Sequence, residues 1–238
     1  MPDPLLTVES LNAGYGEVQV LWGVSLAVPH GKLTAMVGAN GAGKSTTLKA
    51  LVGSIVPWGG RIRFKGEDVT RLPPHAKAAR GLVLVPEGRQ LFNDMTVEEN
   101  LEMGSYTRRD ARSYATRLER VFALFPRLKE RRRQRAGTFS GGEQQMLAIA
   151  RGLMTDPEVL MIDELSLGLA PVVAYQLFET LLTLKAAGLT ILLVEQNVHL
   201  ALAVSERAYV IAEGRVFIEG PSAELEKMPE IRRAYLGL

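Results

Sequence analysis

The sequence predicts an α/β fold in which helices cover a mostly parallel β-sheet, and three observations support this prediction. Apolar strand-like runs alternate with helical runs along most of the 238 residues, which is the rhythm of strand–helix–strand crossover units. A glycine-rich loop at residues 38–47 separates one such strand from the helix that follows. Residues 5–30 alternate apolar and polar side chains around glycines that we assign to turns, Gly14, Gly16 and Gly23, which is typical of antiparallel strands with one solvent-exposed face.

Composition narrows the classes of function. The 28 Lys and Arg residues nearly balance 26 Asp and Glu residues, giving a net charge of +2, so no nucleic-acid partner is expected. The chain has no cysteine, which excludes disulfides and thiolate chemistry. The first residues lack a positively charged segment followed by an apolar stretch, and no apolar run reaches the roughly 18 residues of a membrane helix. We therefore expect neither a signal peptide nor a membrane span.

The glycine-rich loop has the spacing of a phosphate-binding P-loop, with Gly38, Gly43, Lys44 and Ser45 at the fixed positions. The apolar run 33–37 precedes the loop, and apolar residues at helical spacing follow it. Glycines let backbone N–H groups approach phosphate oxygens, and the helix N-terminus adds free N–H groups and the positive end of its dipole. The loop therefore predicts a nucleotide site.

Two residues near this loop are further site candidates. Tyr15 lies between two glycines, where an aromatic ring is either a stacking platform for a purine base or an ordinary residue at a strand edge. A β-like segment at 61–69 is followed by a buried strand at 81–85, and Glu87 comes directly after that strand. Because the ends of neighbouring parallel strands carry ligand groups, Glu87 is a candidate, with a solvated loop charge as the alternative.

Residues 96–153 predict helices almost throughout. The segment Thr96–Glu99 has the spacing of a capping box and opens an amphipathic run. Six cations crowd between residues 127 and 135. We interpret them as a solvated helix face, with contact to acidic groups of a partner as the alternative.

A second helix N-terminus with unusual composition follows at residue 140. Ser140 and Glu143 have capping-box spacing, and apolar residues at helical spacing continue from them. Gly141 and Gly142 are poor helix formers in the first turn, so we predict that they open the helix end to an anion. The chain would then carry two phosphate-binding helix ends far apart in sequence.

An acidic pair ends the apolar strand 159–162. Adjacent carboxylates at a strand end can be plain surface charge, but a P-loop upstream favours the Walker B arrangement. Asp163 is then expected near a Mg2+ ion held by Ser45, and Glu164 beside the attacking water.

The C-terminal third continues the alternation of strands and helices. A loop at 166–171 leads into a helix at 173–185, and the strand 190–194 ends on the polar residues 195–197. The remainder predicts a small hairpin with Gly214 at its turn, followed by a terminal helix.

The segment Ser140–Gln144, placed a helix and a turn before the acidic pair, separates this chain from other P-loop NTPases. Here the sequence resembles the ATP-binding subunits of ABC transporters over essentially the whole chain. The segments 85–89, 166–171 and 194–197 resemble more closely the subunits serving branched-chain amino-acid uptake. The resemblance implies a P-loop NTPase of ABC-ATPase fold: one domain over residues 1–238, with an antiparallel β subdomain and a helical subdomain inserted at about 88–153.

The resemblance also implies roles for individual residues, with ATP and Mg2+ as cofactors. Catalytic roles fall to Lys44, Glu164, Glu87 at the Q-loop position and Gln196 at the switch position. The expected metal ligands are Ser45, Glu87 and Asp163. The expected ATP contacts are Tyr15 on the adenine, then Gly38, Asn40, Gly41, Ala42, Gly43, Lys44, Ser45 and Thr46, and, toward the ATP of a partner subunit, Ser140, Gly141, Gly142 and Glu143.

Three departures from the general family pattern matter. Glu87 stands where most members have Gln, and Gln196 stands where most have the switch His. Both residues agree with the closer resemblance to the branched-chain amino-acid uptake subunits. Leu165 replaces the Pro that normally follows the catalytic Glu, and losing its fixed φ is expected to loosen the D-loop at 166–169. His199 lies three residues past the switch position and is interpreted as an ordinary helix-surface histidine.

The function implied by the resemblance is an ATPase subunit that drives an importer of branched-chain or other hydrophobic amino acids. Its partners would be transmembrane permease subunits, a second ATP-binding subunit in a homo- or heterodimer and, indirectly, a periplasmic or extracellular solute-binding protein. The chain would lie peripherally on the cytoplasmic face of the inner membrane. Alternatives are a urea or amide uptake system, a soluble non-transport ABC ATPase, or a cassette that binds ATP but hardly hydrolyses it.

Overall fold

The computed structural model describes residues 4–106 and 111–231, and its centre is a six-stranded sheet. The strands are β3 (Leu33–Val37), β6 (Leu82–Val85), β7 (Val159–Asp163), β8 (Thr190–Glu195), β9 (Arg207–Ala212) and β10 (Arg215–Pro221). Their order is β10-β9-β3-β8-β7-β6, and all neighbours are parallel except β10 and β9. The mostly parallel sheet predicted from the sequence is confirmed.

A second, four-stranded sheet is antiparallel, as the alternating pattern near the start predicts. Its strands are β1 (Leu6–Tyr15), β2 (Val18–Val28), β4 (Gly59–Phe64) and β5 (Glu67–Asp68), in the order β2-β1-β4-β5. Of the three glycines assigned to turns, Gly16 lies in the β1–β2 turn, with a φ of 56°. Gly14 and Gly23 lie inside β1 and β2, so their assignment to turns is wrong.

The central sheet is covered on both faces, as parallel sheets require. Outside the segment described next, the helices that precede the C-terminal hairpin are α1 (Lys44–Leu51), α2 (Pro74–Ala79), α7 (Pro171–Ala186) and α8 (Val198–Val204). Alternate residues of β8 separate two cores: Leu193 joins the cluster that contains α7 and α8, and Val194 joins the cluster that contains α1 and the antiparallel sheet. The sheet therefore holds α1 on one face and α7 on the other, with the strand ends between them.

The segment after β6 is mainly helical, in agreement with its pattern. It contains α3 (Val97–Gly104), α4 (Ala111–Leu124), α5 (Pro126–Glu130), a 3-10 turn (Ala136–Thr138) and α6 (Gly141–Leu153). Thr96 caps α3 with the predicted capping box. The run of six cations does not form one helix face, because α5 ends at Glu130 and the chain then turns before the 3-10 segment.

The C-terminal part forms the predicted hairpin, with Gly214 in its turn at a φ of 71°. The predicted single terminal helix is instead two short ones, α9 (Ser222–Leu225) and α10 (Pro229–Ile231). The last part of that prediction, 232–238, lies outside the described residues. Across the described ranges, no helix has the length and apolarity of a transmembrane segment.

Candidate nucleotide site

The P-loop joins the carboxyl end of β3 to the N-terminus of α1, in the predicted order. Gly43 is the N-cap of α1 with a φ of 106°, and no side chain caps this helix. The N–H groups of the first turn have no intrahelical partner, so they are available to an anion. Gly41 has a φ of 78° and open space where a Cβ would lie. Gly38 is required for another reason, because a Cβ would lie 2.2 Å from the carbonyl oxygen of Ile211 on β9.

Lys44, the first residue of α1, carries a buried ammonium group inside the loop. Its Nζ donates to the carbonyl oxygens of Gly38 at 2.9 Å and Ala39 at 3.1 Å. The same atom lies 3.6 Å from Oε1 of Glu164, and the Lys44 side chain is only 4% exposed. The structure thus brings together the P-loop cation and the second carboxylate of the acidic pair, which lie 120 residues apart in sequence.

A cavity of about 460 Å³ opens beside this ion pair. It is lined by Val20, Asn40, Gly41, Gly43, Lys44, Ser45, Thr46, Glu87, Glu164 and Leu167. Of the predicted ATP contacts on the P-loop, Gly38 and Ala42 do not line the cavity. The Ala42 side chain is buried in the core, and its carbonyl accepts from the N–H of Gly214 at 2.9 Å. The cavity is large enough for a small-molecule ligand.

Asp163 ends β7 next to the cavity and is only 5% exposed. Burial raises the pKa of its carboxyl, Glu164 and Glu87 add to this rise, and the Ser45 hydroxyl and Lys44 oppose it. Its buried Oδ1 has no hydrogen-bond partner among the described residues. A buried carboxylate oxygen without a partner, close to a hydroxyl, is the donor chemistry that Mg2+ takes.

The protein supplies only part of a metal coordination shell at this position. Within residues 4–106 and 111–231, no group of three His, Cys, Asp or Glu side chains is arranged to hold a metal ion. Mg2+ commonly binds through one or two carboxylates, waters and substrate phosphates. Ser45, Asp163 and Glu87 therefore fit a Mg2+ ion that arrives with a nucleotide.

Glu164 has an unusual backbone that the sequence does not reveal. Its φ is 51°, in the left-handed region that non-glycine residues rarely occupy. Its N–H donates to the carbonyl of Val194 on β8 at 2.9 Å, so the neighbouring strand holds this conformation. Such local strain concentrates at functional sites.

The structure separates the other two predicted catalytic residues. Glu87 is exposed and lines the cavity beside Lys44. Gln196 is exposed in an adjacent depression that it shares with Glu164. His199 is exposed on α8 and faces Glu226, with Nδ1 to Oε1 at 3.5 Å, which agrees with its interpretation as a helix-surface histidine.

Tyr15 lies at the end of β1, over the first turns of α1. Its ring is 44% exposed, and its hydroxyl is 3.4 Å from Oγ1 of Thr46. Nζ of Lys49 donates to that hydroxyl at 3.3 Å and lies 5.4 Å from the ring centroid. An accessible aromatic face therefore stands at the edge of the P-loop, where a base attached to a bound phosphate could stack.

The signature segment lies at the N-terminus of α6, and none of its residues lines the cavity. Ser140 is the N-cap of α6, and its side chain and that of Glu143 form the predicted capping box. Burial works against ionisation of Glu143, yet the bonds from Ser140 and the charges of Arg131 and Arg127 hold its pKa below the ordinary value. Arg131 pairs directly with Glu143, so at least this member of the cation run is an intramolecular partner rather than part of a solvated face.

Gly141 and Gly142 have packing reasons that sequence reasoning missed. A Cβ on Gly142 would lie 2.3 Å from Cγ1 of Val173 on α7. A Cβ on Gly141 would lie 3.1 Å from a guanidinium nitrogen of Arg89. The opening of this helix end to an anion stays a prediction, and the contact with Val173 gives a second reason for glycine at position 142.

Two arginines that the sequence analysis did not select connect Glu87 to α6. Gly88, Arg89 and Gln90 all have positive φ, at 73°, 66° and 44°. Arg151 on α6 donates to the carbonyls of Gln90 at 2.7 Å and Arg89 at 3.2 Å, and Arg89 donates to Oε1 of Gln144 at 3.2 Å. The loop after Glu87 is thus fastened to the signature helix, a link that no local sequence pattern signals.

Comparison with known proteins gives consistent results. A family profile described as "ABC transporter" matches residues 21–166. The chain is 47% identical to the high-affinity branched-chain amino acid transport ATP-binding protein BraG of Pseudomonas aeruginosa, over 98% of this chain and 100% of BraG. It is 39% identical to the probable branched-chain amino acid transport ATP-binding protein LivF of Archaeoglobus fulgidus, over 98% and 99%.

Among solved structures, the chain is similar to the ADP conformation of MJ1267, an ATP-binding cassette of an ABC transporter. The TM-score is 0.87 at 28% sequence identity, and the match covers 99% of each chain. The matched stretch includes both sheets and the helical segment inserted between β6 and β7.

Proposed function

The chain belongs to the ABC transporter family and is an ATPase of its ATP-binding cassette class, and from that premise we propose that it energises an importer of branched-chain or other hydrophobic amino acids. The two relatives named for branched-chain amino-acid transport support this solute class, since each matches almost its whole length. The cassette itself supplies the hydrolytic machinery, and the solute is handled by its partners.

The observation that carries the ATPase mechanism is the convergence of Lys44, Ser45 and Glu164 on one cavity at the uncapped end of α1. In our proposal Lys44 and the N–H groups of α1 bind the phosphates, and Tyr15 stacks on the adenine. Glu164 orients the water that attacks the γ-phosphate, which leaves ADP and inorganic phosphate. Gln196, on the far side of Glu164, takes the switch position.

We assign the metal position to Ser45, Asp163 and Glu87. Their oxygens suit Mg2+, and Asp163 offers the buried oxygen that lacks a protein partner. A bound Mg2+ ion would neutralise charge on the β- and γ-phosphates. Glu87 would keep its place through the loop that Arg151 fastens to α6.

We also propose that the site is completed by a second ATP-binding subunit. Ser140 and its neighbours lie outside the cavity that contains Lys44, so one chain presents two separate surfaces for phosphate. Head-to-tail pairing would place the signature of one subunit over the ATP of the other. The partner is a second copy of this chain or a related cassette.

The surface next to the Glu87 loop suits permease subunits. Phe92, Met103 and Tyr106 are large exposed apolar residues that line a cleft of about 380 Å³ with Arg151. Exposed apolar patches mark interaction sites. A permease seated here would hold the chain peripherally at the cytoplasmic face of the inner membrane, and would link it indirectly to a periplasmic or extracellular solute-binding protein.

The ATPase proposal is tested with Glu164→Gln in the full-length chain. We expect kcat to fall at least about 100-fold, since a positioned general base contributes about 10²–10⁴-fold. The affinity for ATP should stay within about twofold of wild type, measured with a fluorescent ATP analogue. Glu226→Gln, a surface change directly after α9, is the control and should leave both quantities unchanged. Wild-type turnover by Glu164→Gln would contradict the role of Glu164.

The transport proposal is tested on the intact complex. Purification through a tag on this chain should recover permease subunits, and vesicles containing the complex should take up leucine with an ATP-dependent rate at least about tenfold above that of urea. Preferential uptake of urea or an amide would overturn the amino-acid assignment. Co-purification with ribosomes or DNA instead of membrane proteins would favour the non-transport alternative.

A further inference from the structure

Glu195, the last residue of β8, carries a buried carboxylate that the mechanism above does not use. Its side chain is about 1% exposed, although an ionised carboxylate is costly to bury. It lies between the P-loop strand and the acidic-pair strand, with Val37 of β3 opposite its backbone. Gln196 follows it directly.

Both oxygens of Glu195 bind the same residue on the neighbouring loop. Oε1 accepts from the backbone N–H of Ser166 at 2.9 Å, and Oε2 bonds with the hydroxyl of Ser166 at 3.0 Å. Burial raises the pKa of the Glu195 carboxyl, while these bonds and one from the Asn197 backbone oppose the rise. Among the described residues, no Lys, Arg or His forms a salt bridge with it. Neutral donors from two loops therefore hold this group.

The bonds to Ser166 complete a three-point attachment of the loop that begins at Glu164. The N–H of Glu164 donates to the carbonyl of Val194, Leu165 is fully buried in the core, and Ser166 is held by Glu195. That Leu165 loosens the D-loop stays a prediction, and its buried side chain gives the loop an attachment in the core.

We propose that Glu195 is a positioning residue that fixes Glu164 by holding Ser166. The proposal rests on the proposed role of Glu164 in hydrolysis. The left-handed backbone of Glu164 persists only if its surroundings determine it, and Ser166 is the first polar anchor after it. Because Gln196 follows Glu195 in the chain, the Glu195 carboxylate also sets the spacing between Glu164 and Gln196, which line the same depression.

Three substitutions test the proposal in the full-length chain. Glu195→Gln keeps an acceptor for the Ser166 N–H, and its amide N–H can donate to the Ser166 hydroxyl, which accepts as well as donates, so we expect kcat to stay near wild type. Glu195→Ala releases Ser166 completely, and a displacement of about 1 Å at a catalytic group can cost about 100-fold. Ser166→Ala removes only the hydroxyl bond and should reduce kcat less than Glu195→Ala does. In all three, ATP affinity should stay within about twofold of wild type.

Two controls separate positioning from a loss of stability. Glu206→Gln removes a carboxylate oxygen that accepts from the Leu33 backbone at the opposite end of the same sheet, so it should lower Tm without changing kcat. Ser166→Thr keeps the N–H and the hydroxyl and should keep kcat near wild type. In the Glu195→Ala background, the Ser166 hydroxyl has already lost its partner, so Ser166→Ala should cost less there than it does in wild type.

The outcomes distinguish this proposal from the proposed function. If wild type hydrolyses ATP, Glu164→Gln does not, and Glu195→Ala retains wild-type kcat, the positioning role is refuted and the ATPase mechanism stands. A fall in Tm with unchanged kcat refutes it in the same way. If Glu164→Gln hydrolyses ATP normally, the failure lies with the proposed mechanism, whatever the Glu195 variants do.

Discussion

Two helix N-termini in this chain have glycine in or beside their first turn, and they satisfy their backbone N–H groups in opposite ways. At α1 the N-cap is Gly43, no side chain caps the helix, and no acidic residue lies in the first turn. At α6 the N-cap is Ser140, and Glu143 completes a capping box in the first turn. The first end is left open to an external anion, whereas the second is already compensated by a carboxylate of the chain.

The difference explains a division of work within the proposed mechanism. An uncapped helix end with Lys44 beside it can bind phosphate on its own. At α6, the capping box of Ser140 and Glu143 already occupies backbone N–H groups and places a negative charge in the first turn. This end should therefore bind ATP only weakly unless another subunit has already positioned the nucleotide. We call the α1 end the binding end and the α6 end the completing end, and the variants below test this contrast.

Lys44→Ala should have the largest effect. Removing one charge-assisted hydrogen bond to phosphate loses about 1.5–3 kcal/mol, so ATP affinity should fall roughly 10- to 100-fold, and turnover should be lost. Titration with a fluorescent ATP analogue measures the affinity. Lys32→Ala changes an exposed lysine far from the cavity and should bind ATP normally. Unchanged ATP affinity in Lys44→Ala would show that Lys44 at the N-terminus of α1 does not bind the phosphates.

Ser140→Ala should separate binding from turnover. Affinity of the single chain for ATP should stay within about twofold of wild type, because Ser140 lies outside the cavity, while kcat should fall about tenfold. Losing the cap also costs about 1 kcal/mol of stability. Ser140→Thr keeps a capping hydroxyl, so comparing Tm and kcat of both variants isolates the capping contribution. A parallel fall in affinity would show that α6 binds ATP within its own chain.

Local features of the site could be predicted from the sequence. The order of β3, P-loop and α1, both capping boxes and the acidic pair at the end of β7 depend on residues within a few positions of each other, so spacing alone reveals them. The positions of the open and the capped helix end can therefore both be predicted from the sequence alone.

Contacts between distant segments could not be predicted. The bond from Ser166 to Glu195 depends on β7 and β8 being neighbours in the sheet. The left-handed φ of Glu164 and the closeness of Gly142 to Val173 likewise depend on how elements pack. A glycine in the sequence indicates either a backbone conformation with positive φ or a position without space for a Cβ, and only the packing shows which applies.

Gly142→Ala tests the packing explanation of the α6 glycines. Its Cβ would overlap Cγ1 of Val173, and overpacking typically costs about 1–3 kcal/mol. Thermal unfolding should show the lower Tm, and Val173→Ala in the same chain should recover most of the loss. A normal Tm for Gly142→Ala would mean that α7 yields without cost and that ligand contact, not packing, selects the glycine.

Arg131→Met should have the smallest effect. The Arg131 side chain is about one-third exposed, so losing its pair with Glu143 should cost about 1 kcal/mol or less near neutral pH. Since the folded-state pKa of Glu143 is lowered below 4.5, its stabilising charge is present above pH 4.5 and is lost as the pH falls through the folded value. The difference in unfolding free energy between wild type and variant should therefore shrink in acid. A difference independent of pH would assign the effect to packing of Arg131 on Phe139.

Mixing Lys44→Ala with Ser140→Ala tests the central claim, that each catalytic site takes its binding end from one copy and its completing end from another. A mixed dimer contains one site with an intact α1 end and an intact α6 end, so random pairing should restore up to about a quarter of wild-type turnover, well above either variant alone. Turnover of the mixture equal to the average of the two variants, under conditions where wild-type chains hydrolyse ATP, would contradict the account.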